Sequence, residues 1–393
     1  MTGPIPALGL YVHWPFCRAK CPYCDFNSHV ATGIDYAAYG NALCRELDHF
    51  ATIGPTISGK TQLASIFFGG GTPTLMPPAV MGQVISHAEA LFGFAPDIEI
   101  TAEANPTSVE AAALAAFKSA GVNRVSMGVQ AITASELAFL GREHSADEAM
   151  QALAVAQSLF DRVSIDLIYG LPDQTPEMWQ QSLLHALALG LDHLSLYQLT
   201  IEPGTAFYTR ERRGETMTMA NDMAADLYLM TDEITANHGL PAYEVSNHAR
   251  PGQESRHNLI YWQAQNWLGI GPGAHSRFTH NGDRIGIATR RSPVGWLDAV
   301  ATHGHGIEHQ QGDGREDQIA EYLMMGLRLV EGVNLTAMET RFGPYADYID
   351  QDKMALFRAQ GLLTHQTTAH GDILATSRDG RLLLNHILSE LIV

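Results

Sequence analysis

The sequence has little positive charge and no long apolar run. Its 393 residues contain 24 Lys and Arg against 42 Asp and Glu, a formal net charge of −18. The chain therefore lacks the basic surface that a general nucleic-acid-binding protein needs. No apolar run reaches the length of a membrane span. Residues 1–9 contain no basic region followed by an apolar stretch, so we expect no signal peptide and a cytoplasmic protein.

Cysteines are also few, and three of the four lie close together. Cys17, Cys21 and Cys24 have the spacing C-x3-C-x2-C. A disulfide framework would need an even set spread along the chain, and a tetrahedral zinc site would need a fourth ligand nearby. Three thiolates suit a [4Fe–4S] cluster with one iron left open to a small chelating molecule. A zinc knuckle or three unrelated thiols are the alternatives.

The fourth cysteine, Cys44, has a different setting. It lies beside a helical stripe of apolar residues that includes Leu43 and Leu47. We expect it to be a small core residue rather than a metal ligand.

Strand-like runs alternate with amphipathic segments along the first half of the chain, which predicts βαβ units and a parallel sheet. Six such units are too few for a closed eight-stranded barrel and predict an α/β fold with an open, partial (β/α)6 barrel. The predicted strands are 10–13, 63–68, 97–102, 124–129, 162–168 and 193–199. The predicted helices between them are 77–91, 109–120, 146–160 and 176–188, with a capping box from Thr107 to Glu110.

The second half predicts a further helix at 221–238, a strand around 243–246 and a boundary between Gly304 and Glu316. The barrel domain is then 1–304, and 316–393 forms a small C-terminal α+β domain. Its predicted helices are 317–330, 335–341 and 345–360, and its hairpin joins 373–377 to 381–384 through Asp379-Gly380. Helices followed by a hairpin resemble a winged helix. With six Lys and Arg against eleven Asp and Glu, this domain is expected to serve packing or partner contact rather than DNA binding.

Polar and glycine residues end or follow the predicted strands, where α/β barrels form their sites. Gly69, Gly70 and Gly71 precede Thr72, and glycines let the backbone approach a ligand closely; a simple tight turn is the alternative. Glu103 ends the third strand, where its carboxylate can accept hydrogen bonds from an ammonium or a ribose. Taken alone, an ordinary loop acid is the favoured interpretation.

Three more polar residues occupy the next strand ends. Gln130 closes the fourth strand, and its amide suits ribose or adenine edges, although surface solvation explains it equally well. Arg142 can pair bidentately with a carboxylate or be a solvated arginine. Asp166 lies inside the apolar fifth strand, where an unpaired acid is costly, so a functional role is favoured.

The cysteine spacing followed by the glycine-rich loop resembles the radical S-adenosylmethionine (SAM) superfamily. The resemblance implies that Cys17, Cys21 and Cys24 hold a [4Fe–4S] cluster. It also implies that SAM chelates the open iron through its amine and carboxylate, and that an electron from the cluster splits its sulfonium to give a 5′-deoxyadenosyl radical. The SAM contacts that it implies are Tyr11, Tyr23, Gly70, Gly71, Thr72, Glu103, Gln130, Arg142 and Asp166.

Longer motifs narrow the resemblance. Tyr11-Val-His-Trp-Pro-Phe-Cys17 and Ile165-Asp-Leu-Ile-Tyr-Gly-Leu-Pro172 resemble the branch that contains the oxygen-independent coproporphyrinogen III dehydrogenases (HemN) and the HemW haem chaperones. The dehydrogenases carry an additional cysteine where this chain has Phe26, and a long N-terminal extension that is not expected here. The resemblance therefore implies a haem chaperone. The alternatives are a coproporphyrinogen dehydrogenase or another radical SAM enzyme, and a binding module with a structural cluster or zinc.

A last motif bears on haem. His257-Asn258-Leu-Ile-Tyr261-Trp262 resembles a sequence of HemW proteins that is implicated in haem binding. Histidine can ligate haem iron, and Tyr and Trp can line a flat apolar pocket. From the residues alone, a structural histidine packed by aromatics is favoured. The expected partners are haem, an unknown haem-acceptor protein and an electron donor for the cluster, without nucleic acid or a transmembrane segment. Whether SAM is cleaved stays open.

Overall fold

The predicted βα units form the centre of one large sheet. The structure, a computed structural model, describes residues 7–55, 62–281 and 283–393. Residues 1–6, on which the expectation about a signal peptide partly depends, lie outside the described residues. In the described part of the chain, no helix combines the length and apolar character needed to cross a membrane.

The strands of the described residues are short and mostly buried in the barrel half. In chain order they are β1 (Leu8–Trp14), β2 (Phe16–Cys17), β3 (His29–Val30), β4 (Leu63–Gly70), β5 (Phe94–Ala104), β6 (Arg124–Gln130), β7 (Arg162–Tyr169), β8 (His193–Gln198), β9 (Asn247–Ala249), β10 (Asn266–Ile270), β11 (His275–His280), β12 (Asp283–Thr289), β13 (Ile307–Gly312), β14 (Val333–Asn334), β15 (Leu363–Thr368) and β16 (Gly371–Thr376).

The helices of the described residues connect and cover these strands. In chain order they are α1 (Tyr36–Ile53), α2 (Pro78–Phe92), α3 (Ser108–Ser119), α4 (Ala134–Phe139), α5 (Ala146–Leu159), α6 (Pro176–Ala188), α7 (Ala206–Glu211), α8 (Asn221–Asn237), α9 (Arg256–Trp262), α10 (Pro293–His303), α11 (Arg315–Gly326), α12 (Leu335–Phe342), α13 (Gln351–Ala359), α14 (Arg378–Leu382) and α15 (Leu384–Leu391).

The sheet confirms the open α/β barrel. Strands β1, β4, β5, β6, β7 and β8 lie side by side and parallel, as the six predicted units require. A seventh parallel strand, β10, which was not predicted, pairs with the free edge of β1. Antiparallel strands extend both edges: β9 next to β8, and β11, β12 and β13 beyond β10. All the parallel carboxyl ends therefore meet at one rim.

Burial explains why the barrel strands were readable from sequence. Six of the seven residues of β1 are buried, on both faces of the strand, as expected for a strand covered on both sides. Cys44 is buried in the same core, which confirms that it is a packing residue. The predicted capping box is only half formed. The Thr107 hydroxyl accepts from Glu110 N at 3.4 Å, but the Glu110 carboxylate accepts from Asn105 N instead of from Thr107 N.

One prediction for the middle of the chain is wrong, and one strand there was not predicted. The strand expected at 243–246 lies at β9, where it pairs with β8. The stretch 304–316, where the domain boundary is expected, contains β13, which pairs with β12. Its side chains are largely exposed, because β13 is an edge strand, and this hides the alternation by which strands are recognised. The domain boundary itself stays a prediction.

The predicted C-terminal hairpin is wrong in its second strand. β16 pairs with the preceding β15, while Asp379 and Gly380 lie in α14. The Ser377 side chain accepts from Gly380 N at 2.9 Å and caps that helix, so Asp-Gly starts a helical turn instead of a hairpin. Helices α11 and α13 are also shorter than predicted. The domain has its own apolar core, and its Arg378 pairs with Asp232 of α8 at 3.1 Å.

Candidate functional site

An open cleft of about 1050 Å³ lies at the carboxyl ends of the barrel strands. Most of the residues predicted to form a site line it, although they come from six separate parts of the chain. They are Cys17, Cys21, Tyr23, Cys24, Gly70, Gly71, Thr72, Glu103, Gln130, Arg142 and Asp166. The fold therefore brings together every predicted cluster ligand and every predicted SAM contact except Tyr11.

The cysteine loop follows β1 and supplies three half-buried free thiols. Each sulfur has a polar side chain next to it: Thr72 Oγ1 lies 3.6 Å from Cys17 Sγ, and Arg142 Nη1 lies 3.3 Å from Cys21 Sγ. Ser28 Oγ lies 3.9 Å from Cys24 Sγ. These groups can donate to thiolate sulfurs.

All three cysteines line the same cleft. Burial raises the pKa of the Cys17 and Cys24 thiols, so a bound cation is needed to hold them as thiolates. Three thiols that face one cleft fit a [4Fe–4S] cluster with three protein ligands, whereas a tetrahedral zinc site needs a fourth ligand.

Two carboxylates lie deep in the cleft. Burial, with a smaller effect from Asp166, raises the pKa of Glu103 to about 8, although Gly70 N donates to its carboxylate at 3.2 Å. Burial also raises the pKa of Asp166, and hydrogen bonds from Ser195 and Ser126 oppose this rise. The Ser126 hydroxyl donates to Asp166 Oδ1 at 3.2 Å. The pair is therefore set to receive positive charge or hydrogen-bond donors.

Arg142 joins the cysteine loop to the strand ends. Its Nη2 donates to Asn105 Oδ1 at 2.6 Å and to Gly128 O at 2.9 Å, and Asn105 Nδ2 donates to Thr72 Oγ1 at 3.0 Å. Arg142 Nε is buried and has no partner in the described structure. Asn105 was missed from sequence, although it lies two residues after Glu103.

Gln130 has a backbone conformation that is uncommon outside glycine. Its φ is 69°, in the left-handed region that non-glycine residues rarely occupy. Such strain is maintained only where the surrounding structure requires it, often at functional sites. This backbone conformation turns the chain at the end of β6, and the Gln130 residue lines the cleft.

Tyr11 lies behind the cleft rather than in its lining. Its hydroxyl donates to His13 Nδ1 at 3.0 Å, and His13 Nε2 donates to Asn27 O at 2.9 Å. Burial lowers the pKa of His13 to about 4, so the ring is neutral and this tautomer satisfies both nitrogens. Tyr11 therefore contacts the site through His13, and its direct SAM contact stays a prediction.

The candidate haem motif lies on α9, inside the barrel and away from the cleft. His257 is 1% exposed; its Nδ1 is 2.7 Å from Ser65 Oγ and its Nε2 is 2.7 Å from Tyr261 OH. Burial lowers the pKa of His257 to about 3. Both nitrogens are thus engaged, and haem ligation by this histidine would require both contacts to break. The haem roles of Asn258, Tyr261 and Trp262 stay predictions.

The turn that contains Pro272 and Gly273, called the second turn, supports the cysteine loop. Asn27, three residues after Cys24, donates from Nδ2 to Pro272 O at 2.8 Å and to Arg291 O at 2.9 Å. A Cβ on Gly273 would lie 2.6 Å from that same nitrogen, and φ there is +81°. Only glycine fits such a close approach in that conformation.

Glu46 holds this turn from behind. The side chain is completely buried and accepts from Gly271 N at 2.8 Å, Gly306 N at 2.7 Å and Trp296 Nε1 at 3.0 Å. Burial raises its pKa to about 7. The turn that Glu46 holds is Gly271-Pro272-Gly273, and nothing in the sequence marks Glu46 on its apolar helix.

Comparison with known proteins decides the family. The heme chaperone HemW of Synechocystis sp. is 36% identical over 406 residues, which span 97% of this chain and 95% of that protein. The chain belongs to the HemW family of radical SAM proteins. The heme chaperone HemW of Escherichia coli is also 36% identical, over 95% of this chain and 97% of the relative.

Other likenesses agree with membership in the HemW family. Residues 11–186 match the Radical SAM superfamily, and residues 314–383 match the HemN C-terminal domain. The mouse mitochondrial radical S-adenosyl methionine domain-containing protein 1 is 42% identical over 82% of this chain and 74% of its own length. Coproporphyrinogen III oxidase (HemN) from Escherichia coli has a TM-score of 0.80 at 25% identity, over 98% of this chain and 90% of that structure. Radical SAM membership makes a [4Fe–4S] cluster and SAM the cofactors of this fold.

We expect Asn27→Ala to weaken cluster retention by about 10-fold, as replacements of residues that orient metal ligands commonly do. The change removes both contacts that hold the cysteine loop to the second turn. The measurement is the rate of iron loss from anaerobically reconstituted protein in the presence of a chelator. Asn41→Ala is the matched control, since exposed Asn41 accepts one bond from Gln83. Equal rates in Asn27→Ala and wild type would contradict the supporting role.

We expect Glu103→Gln to stabilise the protein at high pH and to weaken SAM binding. The pKa of Glu103 is raised by burial to about 8, so the folded state holds its proton more tightly than the unfolded state. This carboxyl group therefore lowers stability as pH rises from about 4.3 through 8. The glutamine variant should melt about 2–4 °C above wild type at pH 8.5 and close to wild type at pH 5.

The same Glu103→Gln variant should bind SAM about 10-fold more weakly, because an amide, unlike the carboxyl group, cannot give up a proton to pair with the positively charged amine of SAM. Thermal melting without ligands and SAM titration of the reconstituted protein measure the two effects. Glu308→Gln, at an exposed position on β13, is the control for both. A lower melting temperature for Glu103→Gln at pH 8.5 would show that the carboxylate is stabilising and the argument wrong.

Proposed function

We propose that the protein is a haem chaperone: it binds haem, a [4Fe–4S] cluster and SAM, and transfers haem to an acceptor protein. The observation that carries this proposal is the likeness to proteins named heme chaperone HemW along nearly the whole of both chains. The cleft supports the cluster and SAM parts, because three free thiols and a set of buried polar groups face the same space.

The roles of the cleft residues follow from their positions. Cys17, Cys21 and Cys24 would hold the cluster, which when bound supplies one electron to SAM. The backbone of Gly70 and Gly71 lines the space beside the thiols. A Cβ on Gly71 would lie 2.6 Å from Phe16 O, so the loop packs against the cysteine segment without room for a side chain.

The polar groups of the chain would orient the SAM molecule. Arg142 can pair with its carboxylate, and Glu103 can accept from its amine or ribose. Asp166 and Gln130 face the same cleft and offer further acceptors and a donor. Tyr23 packs against Phe207 with ring centroids 6.2 Å apart and closes one side of the cleft.

The candidate haem site lies where α9 meets the C-terminal half of the chain. Tyr261 and Trp262 are half-buried, and Arg328 from the C-terminal half lies 4.6 Å from the Trp262 ring centroid. The indole Nε1 is buried without a partner in the described structure. These groups at the junction of α9 with the C-terminal half could take a flat ligand, with His257 behind them.

A second candidate function is that of a coproporphyrinogen dehydrogenase. The fold likeness to coproporphyrinogen III oxidase favours it. Phe26 argues against it, because the dehydrogenases have a further cysteine there, and this side chain is exposed beside the cleft.

The partners and location follow from the chemistry. Haem, a haem-acceptor protein and an electron donor are required, and the acidic chain offers no general nucleic-acid surface. A reducing compartment such as the cytoplasm would preserve free thiols and an iron–sulfur cluster.

A haem titration paired with an assay for coproporphyrinogen decarboxylation tests this function. The anaerobically reconstituted protein should show saturable haem binding in the Soret region and no decarboxylation with SAM and reductant. An unrelated protein of similar acidity is the control for adventitious haem binding. Haem binding no stronger than that control, together with SAM-dependent turnover of coproporphyrinogen, would replace the chaperone with the second candidate.

A further inference from the structure

Exposed cations gather at the edge of the cysteine loop. Arg18 and Lys20 lie between the cluster ligands and are exposed, as are Arg290 and Arg291 on the turn before α10. Arg291 lies against the loop, because its carbonyl accepts from Asn27 Nδ2 at 2.9 Å. In the part of the chain that the structure describes, none of these four cations forms an ion pair with a carboxylate.

Lys20 and Arg291 flank the same histidine. Burial lowers the pKa of His29, and the positive charges of Lys20 and Arg291 lower it further. Asp25 and Glu143 are exposed acids of the same region, so the cations outnumber the acids there. The chain as a whole has a net charge of −18, and this edge is therefore opposite in sign to the rest of the protein.

Two large apolar side chains are exposed among these cations. Phe26 is 58% exposed and Val30 is 59% exposed, and both belong to the cysteine loop or the short strand that follows it. Apolar residues surrounded by polar and charged ones are the usual composition of a protein interface. We define the cationic rim as Arg18, Lys20, Phe26, Val30, Arg290 and Arg291.

We propose that the cationic rim is the docking surface for an acidic one-electron donor protein that reduces the cluster. This inference rests on the proposed function, which requires an electron at the cluster. An acidic donor is repelled by most of this acidic chain and attracted at the rim, so electrostatic steering directs it to the loop that carries the three cysteines. The apolar side chains then provide the close contact that holds the encounter complex.

The transfer balances with a flavin hydroquinone donor. One electron leaves the anionic hydroquinone, which becomes the neutral semiquinone without losing a proton, and the oxidised cluster becomes the reduced cluster. No atom is exchanged between the two proteins, so the rim needs only to bring the two redox groups close together.

The test is the rate of cluster reduction, followed by its visible absorbance in the full-length reconstituted protein without haem or SAM. Reduced flavodoxin is the acidic probe, and photoreduced 5-deazaflavin is a small uncharged one. The double variant Arg290→Glu/Arg291→Glu should be reduced by flavodoxin at least about 10-fold more slowly than wild type at low salt. The wild-type rate with flavodoxin should also fall as salt is added. With deazaflavin, wild type and variant should react at the same rate.

Arg358→Glu is the matched control, because exposed Arg358 lies in α13 of the C-terminal domain; it should keep the wild-type rate. The double variant Arg290→Gln/Arg291→Gln removes both charges without reversing them and should be reduced by flavodoxin at an intermediate rate. It keeps the test valid if the charge-reversed variant fails to fold. Equal flavodoxin rates in wild type and both double variants would overturn the docking surface, and so would equal slowing with both reductants. Wild-type protein that assembles no cluster would instead overturn the proposed function.

Discussion

Replacing Cys21 by alanine should reduce the iron and sulfide of the reconstituted protein from about four of each per chain to nearly none. In the proposed site three thiols would supply all the protein ligands and one iron would have none, so the loss of a thiol would leave two irons open. Arg142, whose guanidinium lies 3.3 Å from Cys21 Sγ, cannot replace a thiolate, because it has no acceptor. Iron and sulfide analysis after anaerobic reconstitution measures the effect.

Cys44→Ala is the control for the cluster experiment. Cys44 is buried in the barrel core, and burial raises its thiol pKa to about 11. We expect this variant to assemble a full cluster with a small loss of stability. A fully loaded cluster in Cys21→Ala would refute the assignment of the three cysteines, as would loss of the cluster in Cys44→Ala alone.

Replacing His257 by alanine should lower the free energy of unfolding by about 3 kcal/mol, since it leaves a cavity and unpaired polar groups in the barrel interior. The change removes the partners of the Ser65 and Tyr261 hydroxyls, each 2.7 Å from a ring nitrogen. Denaturant unfolding of the cluster-free protein measures the loss. His370→Ala, at an exposed turn of the C-terminal domain, should be near neutral.

The pH dependence of stability gives the His257 prediction a second readout. Burial lowers the pKa of His257 to about 3, below the unfolded value of about 6.5. The unfolded state therefore binds the proton first, and the stability contributed by the neutral ring is lost as pH falls from 6.5 towards 3. His257→Ala should flatten that part of the stability curve. An unchanged stability and an unchanged curve would contradict the buried, neutral histidine.

A folded His257→Gln variant separates the structural role from a haem role. Glutamine can keep part of the hydrogen bonding but does not ligate haem iron as an imidazole does. If His257 is an axial ligand, the variant should bind haem more weakly with a shifted Soret band. An unchanged spectrum would remove the ligand assignment and leave the chaperone proposal standing on haem binding itself.

The sequence by itself determined the features that depend on local patterns. The spacing of Cys17, Cys21 and Cys24 and the six apolar strands are each contained in a short segment. Residues at the ends of such strands must meet, because parallel strands in one sheet share a carboxyl edge. This is why Glu103, Gln130 and Asp166 could be placed in one cleft without coordinates.

Only the tertiary structure decided the features that depend on contacts between distant segments. Asn27 reaches Pro272 and Arg291, and Glu46 reaches Gly271 and Gly306, pairings that leave no periodic signal in the sequence. The hairpin was misplaced because Asp379-Gly380 can form either a hairpin turn or a helical turn. Ser377 caps the helical turn there, and β16 pairs with β15 instead of with a later strand. The burial of His257 is likewise set by Ser65, far away along the chain, since a histidine's environment comes from its neighbours in space.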